Sequence, residues 1–408
     1  MSKLDELIRE LCPDGVEYVK LGTLCSLITK QTGFDYTNHI KARLLMEPAE
    51  NAVPYIQTKF FAGKNFNYQT DYYVPMDIVE QFPKITLDEK CILFSIVGAS
   101  IGNVGLFPGE RKCFLGGAIC VAKVLPQYDV DYVYYCVESH NVQHQIRRKT
   151  KGAGQATITV EDIREFEIPL PPIEIQSEIV RILDNFTNLT AELTAELKAR
   201  GIQYSYYRNK LLTFHSDTKI VQLADIADIG TGSSNTNEAV EDGKYPFFVR
   251  SQEPLRKNDF EYDETAIITA GDGVGVGKVY HYIEGRYALH QRAYRIHINT
   301  PEVVPKYYFH YMKAKFLPYI QKTMFQGSVA SIRRPMLNAF PVPVPSLDVQ
   351  NRIVKVLDNF EKICSDLNIG LPAEIEARQK QYEYYRDKLL TFAENGNTIL
   401  SRAEQSTD

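Results

Sequence analysis

The sequence predicts an α/β (α+β) chain: two small mixed domains separated by an antiparallel coiled coil of two long helices, with an internal pseudo-two-fold repeat. Three observations predict it. Residues 169–186, PLPPIEIQSEIVRILDNF, return as PVPSLDVQNRIVKVLDNF at 343–360, an offset of 174. Tyr204–Phe214, YSYYRNKLLTF, returns as YEYYRDKLLTF at Tyr382–Phe392, an offset of 178. The repeated blocks carry apolar residues at helical spacing, whereas the stretches between them carry short β-rich runs and glycine turns.

Composition sets the frame. A chain of 408 residues exceeds one ordinary core, and 44% hydrophobic with 24% charged residues is the composition of a folding chain. No apolar run reaches spanning length, and MSKLDELIRE lacks a hydrophobic segment behind a basic cap, so no membrane association is expected. Seven scattered cysteines without a C-x-x-C pair give neither a disulfide framework nor a zinc knuckle and point to a reduced, cytoplasmic setting. The net charge is −5; residues 1–166 carry 18 basic and 20 acidic groups, and residues 216–341 carry 15 and 14. Neither domain has the cationic excess of a protein that grips nucleic acid unaided, although a basic cleft can sit on an acidic particle and a partner can supply part of the attraction.

The elements follow in order. Residues 1–166 form a first domain, with strands expected at Cys91–Gly98 and Ala118–Leu125 and an aromatic helical stretch from Asp129 to Lys149. Residues 167–215 begin with the step IPLPPIE, read as a boundary that continues neither strand nor helix, and go on as a long helix. Its seam is Ile175, Ile179, Ile182, Phe186, Leu189, Leu193 and Leu197, with a stutter where Thr190–Leu193 repeats as Thr194–Leu197. From Ile175 to Phe214 such a helix is roughly 60 Å long. Residues 216–341 form the second domain, with strands at Ala266–Gly271 and Ala293–Ile298, and an echo of Val19–Ile28 at Val221–Gly230 makes the first domain longer. Residues 342–395 repeat the helix, with a seam of Val349, Ile353, Val356, Phe360, Ile363 and Leu367 and a break at Gly370 and Pro372; residues 396–408 read as a disordered tail.

Catalytic signals fail on inspection. Gly271–Lys278 resembles a phosphate loop, yet Asp272 stands where Gly is required and Val279 where Ser or Thr must hold Mg²⁺; alignment with Gly98–Gly102 favours a turn between strands. Asp88 with Glu110-Arg111-Lys112 is a poor nuclease constellation, and His140 with His144 has no carboxylate trio. What remains is polar and basic clusters at the same place in both copies, with different side chains: Arg147-Arg148-Lys149 running into Lys151, Gln155 and Thr157, and Gln326, Ser328, Ser331, Arg333 and Arg334. Glycine lets backbone approach phosphate, and these side chains donate to phosphates and base edges. Candidate DNA contacts are Gln57, Lys59, Ser100, Asn103, Lys151, Gln155 and Thr157 in the first domain, with Arg147, Arg148 and Lys149 on phosphate. In the second they are Arg250, Gln252, Gln291, Arg292, Gln326, Ser328, Ser331, Arg333 and Arg334.

The duplicated PxP–LDNF–YYRxKLLTF block, the unlike domains between its copies and the Thr-Ala-Glu-Leu tandem resemble the specificity (S) subunit of Type I restriction-modification systems, over essentially the whole chain. The resemblance implies two target recognition domains, each reading half of a split asymmetric site on double-stranded DNA, with the two conserved helices as an antiparallel spacer. It further implies docking of two modification (M) subunits and of restriction (R) subunits. The chain itself would hold no cofactor or metal and no catalytic residue: S-adenosylmethionine belongs to the M partner, ATP and Mg to the R partner. The alternative from another class is a coiled-coil scaffold joining two protein-binding modules without DNA.

Overall fold

The computed structural model describes residues 2–32, 36–151, 156–323, 331–366 and 369–393. The chain divides into two compact units, Met1–Ala191 with Glu376–Asp408, and Glu192–Ile375. The expected tail at 396–408 and the seam residue Leu367 lie outside the described residues.

Unit 1 opens with helix α1 (Lys3–Leu11). Besides a short hairpin of Phe61–Ala62 with Asn65–Phe66, its strands before the first proline step are β1 (Tyr18–Lys20), β2 (Cys25–Lys30), β3 (Ala52–Ile56), β4 (Tyr73–Pro75), β5 (Thr86–Leu87), β6 (Cys91–Ser95), β7 (Val104–Phe107), β8 (Cys113–Leu115) and β9 (Ile119–Val124). Strands β2 to β9 form two four-stranded sheets, in the orders β4-β3-β8-β5 and β2-β9-β6-β7. The aromatic stretch becomes two helices, α2 (Val130–Glu138) and α3 (His140–Lys149), parted at Ser139, whose backbone is extended. Asp129 caps α2 by accepting from the amides of Asp131 and Tyr132. Strand β10 (Glu167–Pro169) then leads into α4 (Ile173–Leu211), one unbroken helix of 39 residues.

Unit 2 repeats the plan with β11 (Ile220–Gln222), β12 (Ala227–Thr231), β13 (Tyr245–Phe248), β14 (Leu255–Lys257), β15 (Tyr262–Ala270), β16 (Tyr280–Leu289) and β17 (Ala293–Ile298). Strands β12 to β17 make one six-stranded sheet, β12-β17-β15-β16-β13-β14. The two units use the same core ladder, β2-β9-β6-β7 matching β12-β17-β15-β16. The difference is local: the long β16 does the work of β7 and β8 together, so unit 2 joins in one sheet what unit 1 keeps in two. Helix α5 (Pro305–Thr323), strand β18 (Pro341–Pro343), α6 (Leu347–Ser365) and α7 (Leu371–Leu389) complete the chain.

The proline steps hold a finding the sequence reading missed. They are not mere boundaries: β10 pairs antiparallel with β1 and β18 with β11, each as a two-stranded ladder. Proline is tolerated there because an edge strand leaves one side of its backbone without ladder bonds. The same pairing validates the sequence echo, since Val19 faces Ile168 and Val221 faces Val342.

A buried glutamine seats each repeated helix. Gln176 donates to Pro171 O at 2.8 Å and accepts from Asp129 N at 3.2 Å. Gln350 donates to Pro345 O and Glu302 O and accepts from Val304 N, all at 2.8 Å. A tyrosine completes each seat, Tyr132 OH donating to Pro169 O at 3.0 Å and Tyr307 OH to Pro343 O at 2.9 Å. Buried backbone groups at these turns thereby find partners that regular secondary structure does not supply.

The expected seam is only part of what the helices bury. In unit 1 the fully buried row is Ile175, Ile179 and Leu183, while Ile182 and Phe186 are half-buried and Leu189 is exposed; Leu193 and Leu197, past the end of unit 1, are half-buried too. In unit 2 it is Gln350, Ile353 and Leu357; Phe360 is half-buried, and Val349, Val356 and Ile363 are 38–41% exposed. Each helix faces its unit's own domain as well as a second helical segment, so its apolar stripe is wider than a two-helix seam. That second segment comes from the other repeat copy: in unit 1 Phe186 stacks on Tyr385 at 5.4 Å, and in unit 2 Phe360 stacks on Tyr207 at 5.9 Å. Within unit 1 the pairing runs antiparallel, because Tyr18, beside Pro169, hydrogen bonds Phe392 while Phe186 meets Tyr385. The second helix is broken between Ser365 and Leu371, where a side chain on Gly370 would meet the carbonyls of Lys362 and Asp366 at 2.6 Å.

Candidate nucleic-acid interface

The strand ends gather the candidate side chains. In unit 2, Arg250 follows β13, Gly271-Asp272 follows β15, and His290-Gln291-Arg292 forms the turn from β16 to β17. Gly271 N donates to Arg292 O at 2.9 Å, and a Cβ at Gly271 would lie 2.7 Å from that oxygen, so glycine is what lets these turns touch. Asp272 then takes both arginines, Arg250 Nη1 at 2.7 Å on Oδ1 and Arg292 Nη1 at 3.3 Å on Oδ2. Ser331 pairs with Asp272 as an isolated bridge. Gln291 donates to Asn235 Oδ1 at 2.5 Å. Buried His290 accepts from Arg292 N at 3.0 Å; burial, then the charges of Arg250 and Arg292, lower its pKa and keep the ring neutral at neutral pH.

Unit 1 builds the same frame without the charges. Ile96 N donates to Ala118 O at 3.0 Å, as Gly271 N does to Arg292 O, and Val97 bridges Thr157 as Asp272 bridges Ser331. The parallel pairs Tyr55–Phe114 and Phe247–Ala288 set the third correspondence. Thr58, Val97 and Ala118 therefore occupy the places of Arg250, Asp272 and Arg292. Gly98 and Gly102, with φ of 82° and 92°, match Gly273 and Gly277, at 80° and 68°. A cleft of ≈ 300 Å³ lies here, lined by Tyr36, Tyr55, Gln57, Thr58 and Gly116–Ala118.

The remaining candidates fall as follows. Asn103 and Arg147 share a second cleft in unit 1, ≈ 430 Å³, with Gln143 and Thr150. Arg148 is exposed and Lys149 half-buried in the last turn of α3, and Lys151 and Thr157 pair through their backbones. Ser100 is bonded to Ser95 at 2.6 Å and Lys59 is paired with Asp71, so both already have protein partners. Gln252 and Arg333 are exposed. Arg334 donates to Ile229 O, a contact that braces β12. Gln155, Gln326 and Ser328 lie outside the described residues. Asp272, which joins Arg250 to Arg292, has one signal in the sequence: it interrupts the phosphate-loop pattern.

The rejected motifs have structural roles. Gly271–Lys278 is a turn between two strands, with no helix after it to receive a phosphate. Asp88 pairs with Lys123 at 2.9 Å, and Arg111 lies over the Tyr68 ring at 4.6 Å. Among the described residues one group has metal-ligand proximity, His310, Asp358 and Glu361. Lys313 at 2.7 Å and Tyr204 at 3.0 Å already occupy Glu361, and His310 donates to Asp358 at 2.7 Å, so the cluster reads as an internal ion-pair network joining α5 to α6. No helix is long and apolar enough to cross a membrane among the described residues.

Comparison with known proteins bears on the family and the fold. The family model described as Type I restriction modification DNA specificity domain matches twice, at residues 13–200 and 215–377. The specificity subunit of the Type I restriction enzyme EcoR124I/EcoR124II of Escherichia coli is 37% identical over 261 residues, covering 56% of this chain and 63% of that protein. The matched region thus spans less than two thirds of that relative. A putative type I specificity subunit of Mycoplasma pneumoniae is 31% identical over 55% of this chain and 92% of its own length. In fold, the chain resembles the crystal structure of the Type I restriction-modification S subunit of M. genitalium, with TM-score 0.59 and 16% identity over 92% of this chain and 96% of that one.

Proposed function

We propose, from the premise that this chain belongs to the family of Type I restriction-modification DNA specificity proteins, that it is the sequence-reading subunit of such a complex. In this reading each domain reads one half of a bipartite asymmetric DNA site, and the chain performs no chemistry itself. The observation that carries it is the doubled frame with unlike ends: one scaffold presents Arg250, Asp272 and Arg292 in one unit and Thr58, Val97 and Ala118 in the other. Two readers of one design and different chemistry suit two unlike half-sites.

The near-neutral charge of both domains fits a reader that is held on DNA by partners. Two M subunits carrying S-adenosylmethionine would enclose the duplex and methylate adenine, and R subunits using ATP and Mg would cut unmethylated DNA. The repeated helices are the proposed spacer and docking surface, and α4 fixes the unspecified gap. Specificity then comes from two modest readers engaged together, since a linked second contact raises affinity without new chemistry. Adenine-methylation mapping in cells carrying this chain and its M partner tests the reading. A bipartite motif with a fixed gap is expected; methylation independent of this chain, or a motif that is not split, would overturn it.

A further inference from the structure

We propose that Arg250 and Arg292 form a guanine reader in unit 2 and that Asp272 is its positioning residue, so the half-site read by residues 216–341 contains a G·C pair contacted through guanine. This inference rests on the proposed function and names the chemistry recognised at one of its two sites.

The geometry points to reading rather than to phosphate clamping. Asp272 spends one oxygen on each arginine, at 2.7 and 3.3 Å, and its side chain is 24% exposed against 42% and 59% for Arg250 and Arg292. The carboxylate thus lies behind, and the guanidinium groups stand in front. Each guanidinium has five N–H donors, so one contact to Asp272 leaves the others for an outside acceptor in a plane the carboxylate helps to fix. Guanine offers two such acceptors side by side in the major groove, O6 and N7. One negative charge beside two positive ones leaves a single net charge, which weakens the pull on phosphate but not the directional bonds to a base edge.

A structural role is a poor account of the trio. Partly exposed ion pairs contribute little to stability. Unit 1 makes the same turn contacts with Val97 and Ala118 in the places of Asp272 and Arg292, and has Thr58 at the place of Arg250, so the frame does not require the charges. The second turn is independently latched: His290, neutral and buried, accepts from Arg292 N and holds the loop carrying that arginine. Position and orientation are built, while the donors themselves face outward.

The test uses the complex of this chain with its M partner and duplexes bearing the motif found by methylation mapping. Replacing each guanine of the unit 2 half-site in turn by 7-deazaguanine removes N7 alone. At one position binding should weaken roughly 10-fold for the wild type, and the penalty should vanish in R250A or R292A. Asp272→Asn, nearly isosteric, should cut the preference for guanine at that position by roughly 10-fold while leaving the unit 1 half-site preferences and thermal stability unchanged; binding to unrelated DNA should hold or rise. A bipartite motif whose unit 2 half tolerates every 7-deazaguanine, or whose guanine preference survives D272N, R250A and R292A, would overturn this inference and leave the proposed function standing. Absence of any sequence-specific binding by the wild-type complex would overturn both.

Discussion

The buried glutamine at the start of α6 is the most exacting test of how the helices are seated. Gln350→Met keeps the volume and the apolar stem but deletes three bonds, from Gln350 Nε2 to Glu302 O and Pro345 O and from Val304 N to Gln350 Oε1. A buried backbone group left without a partner costs about 1–3 kcal/mol; these three bonds are part-buried, so together they come to about 3 kcal/mol. Gln176→Met deletes two bonds, one of them long at 3.2 Å, and should cost about 2–3 kcal/mol. Gln350→Glu should be worse than Met, because a carboxylate would face two carbonyl oxygens inside the fold. Hydrogen exchange read on peptides covering residues 300–307 is the direct assay, since the Val304 amide is one of the orphaned groups. A loss of protection of at least about 100-fold is expected for Gln350→Met, from a tenfold change per 1.4 kcal/mol. Protection within threefold of wild type, or Glu tolerated better than Met, would show that the glutamine is a passenger.

Three further outcomes follow from the same structure. Deleting Thr194–Leu197 shortens α4 by roughly 6 Å and brings Glu192 into the i,i+4 place that Glu196 holds against Arg200, so the helix should survive; methylation sequencing should then show the gap shorter by about one base pair with both half-sites unchanged, and altered half-sites with an unaltered gap would refute it. Glu178, held at about 2 by its hydrogen bond to Arg181 and by Lys3 despite its burial, is charged in the folded state well below the usual carboxylate range; its stabilisation is present above the unfolded value near 4.5 and lost as pH falls through about 2, so Glu178→Gln should flatten the fall of the urea midpoint across that window. Gly201→Ala, on an open helix face with nothing within 4 Å, should stabilise by about 0.5–1 kcal/mol, whereas Gly232→Ala, whose Cβ would lie 1.8 Å from Leu289 O, should cost at least about 2 kcal/mol; equal melting temperatures for the two variants would contradict the packing described.

The repeat made most of the architecture legible. Closely matching blocks at offsets of 174 and 178 mark equivalent places whatever lies between them, whereas the strands that the proline steps pair with, at Val19 and Val221, show only in the fold. Periodicity was less informative about the helices, because it counts apolar residues and cannot say how many neighbours a helix has. Ile182, Val349 and Val356 keep the heptad spacing, yet their neighbours Leu183, Gln350 and Leu357 take the buried positions. Gln176 and Gln350 were invisible for a related reason: a glutamine inside a polar-apolar pattern reads as solvent-facing until the unpaired backbone beneath it is known. The candidate contacts after β13 and β16 were legible as basic residues near glycine turns. Asp272 was not, since its role depends on three turns distant in sequence meeting at one point.

The paired seats have an evolutionary corollary. Tyr132 with Gln176, and Tyr307 with Gln350, grip matching carbonyls at Pro169–Pro171 and Pro343–Pro345, so domain and helix meet through one fitting used twice. A genetic crossover at either junction would deliver a foreign domain onto an unaltered socket. New combinations of half-sites could then arise by exchange of whole cassettes, without any adjustment of the helices that receive them.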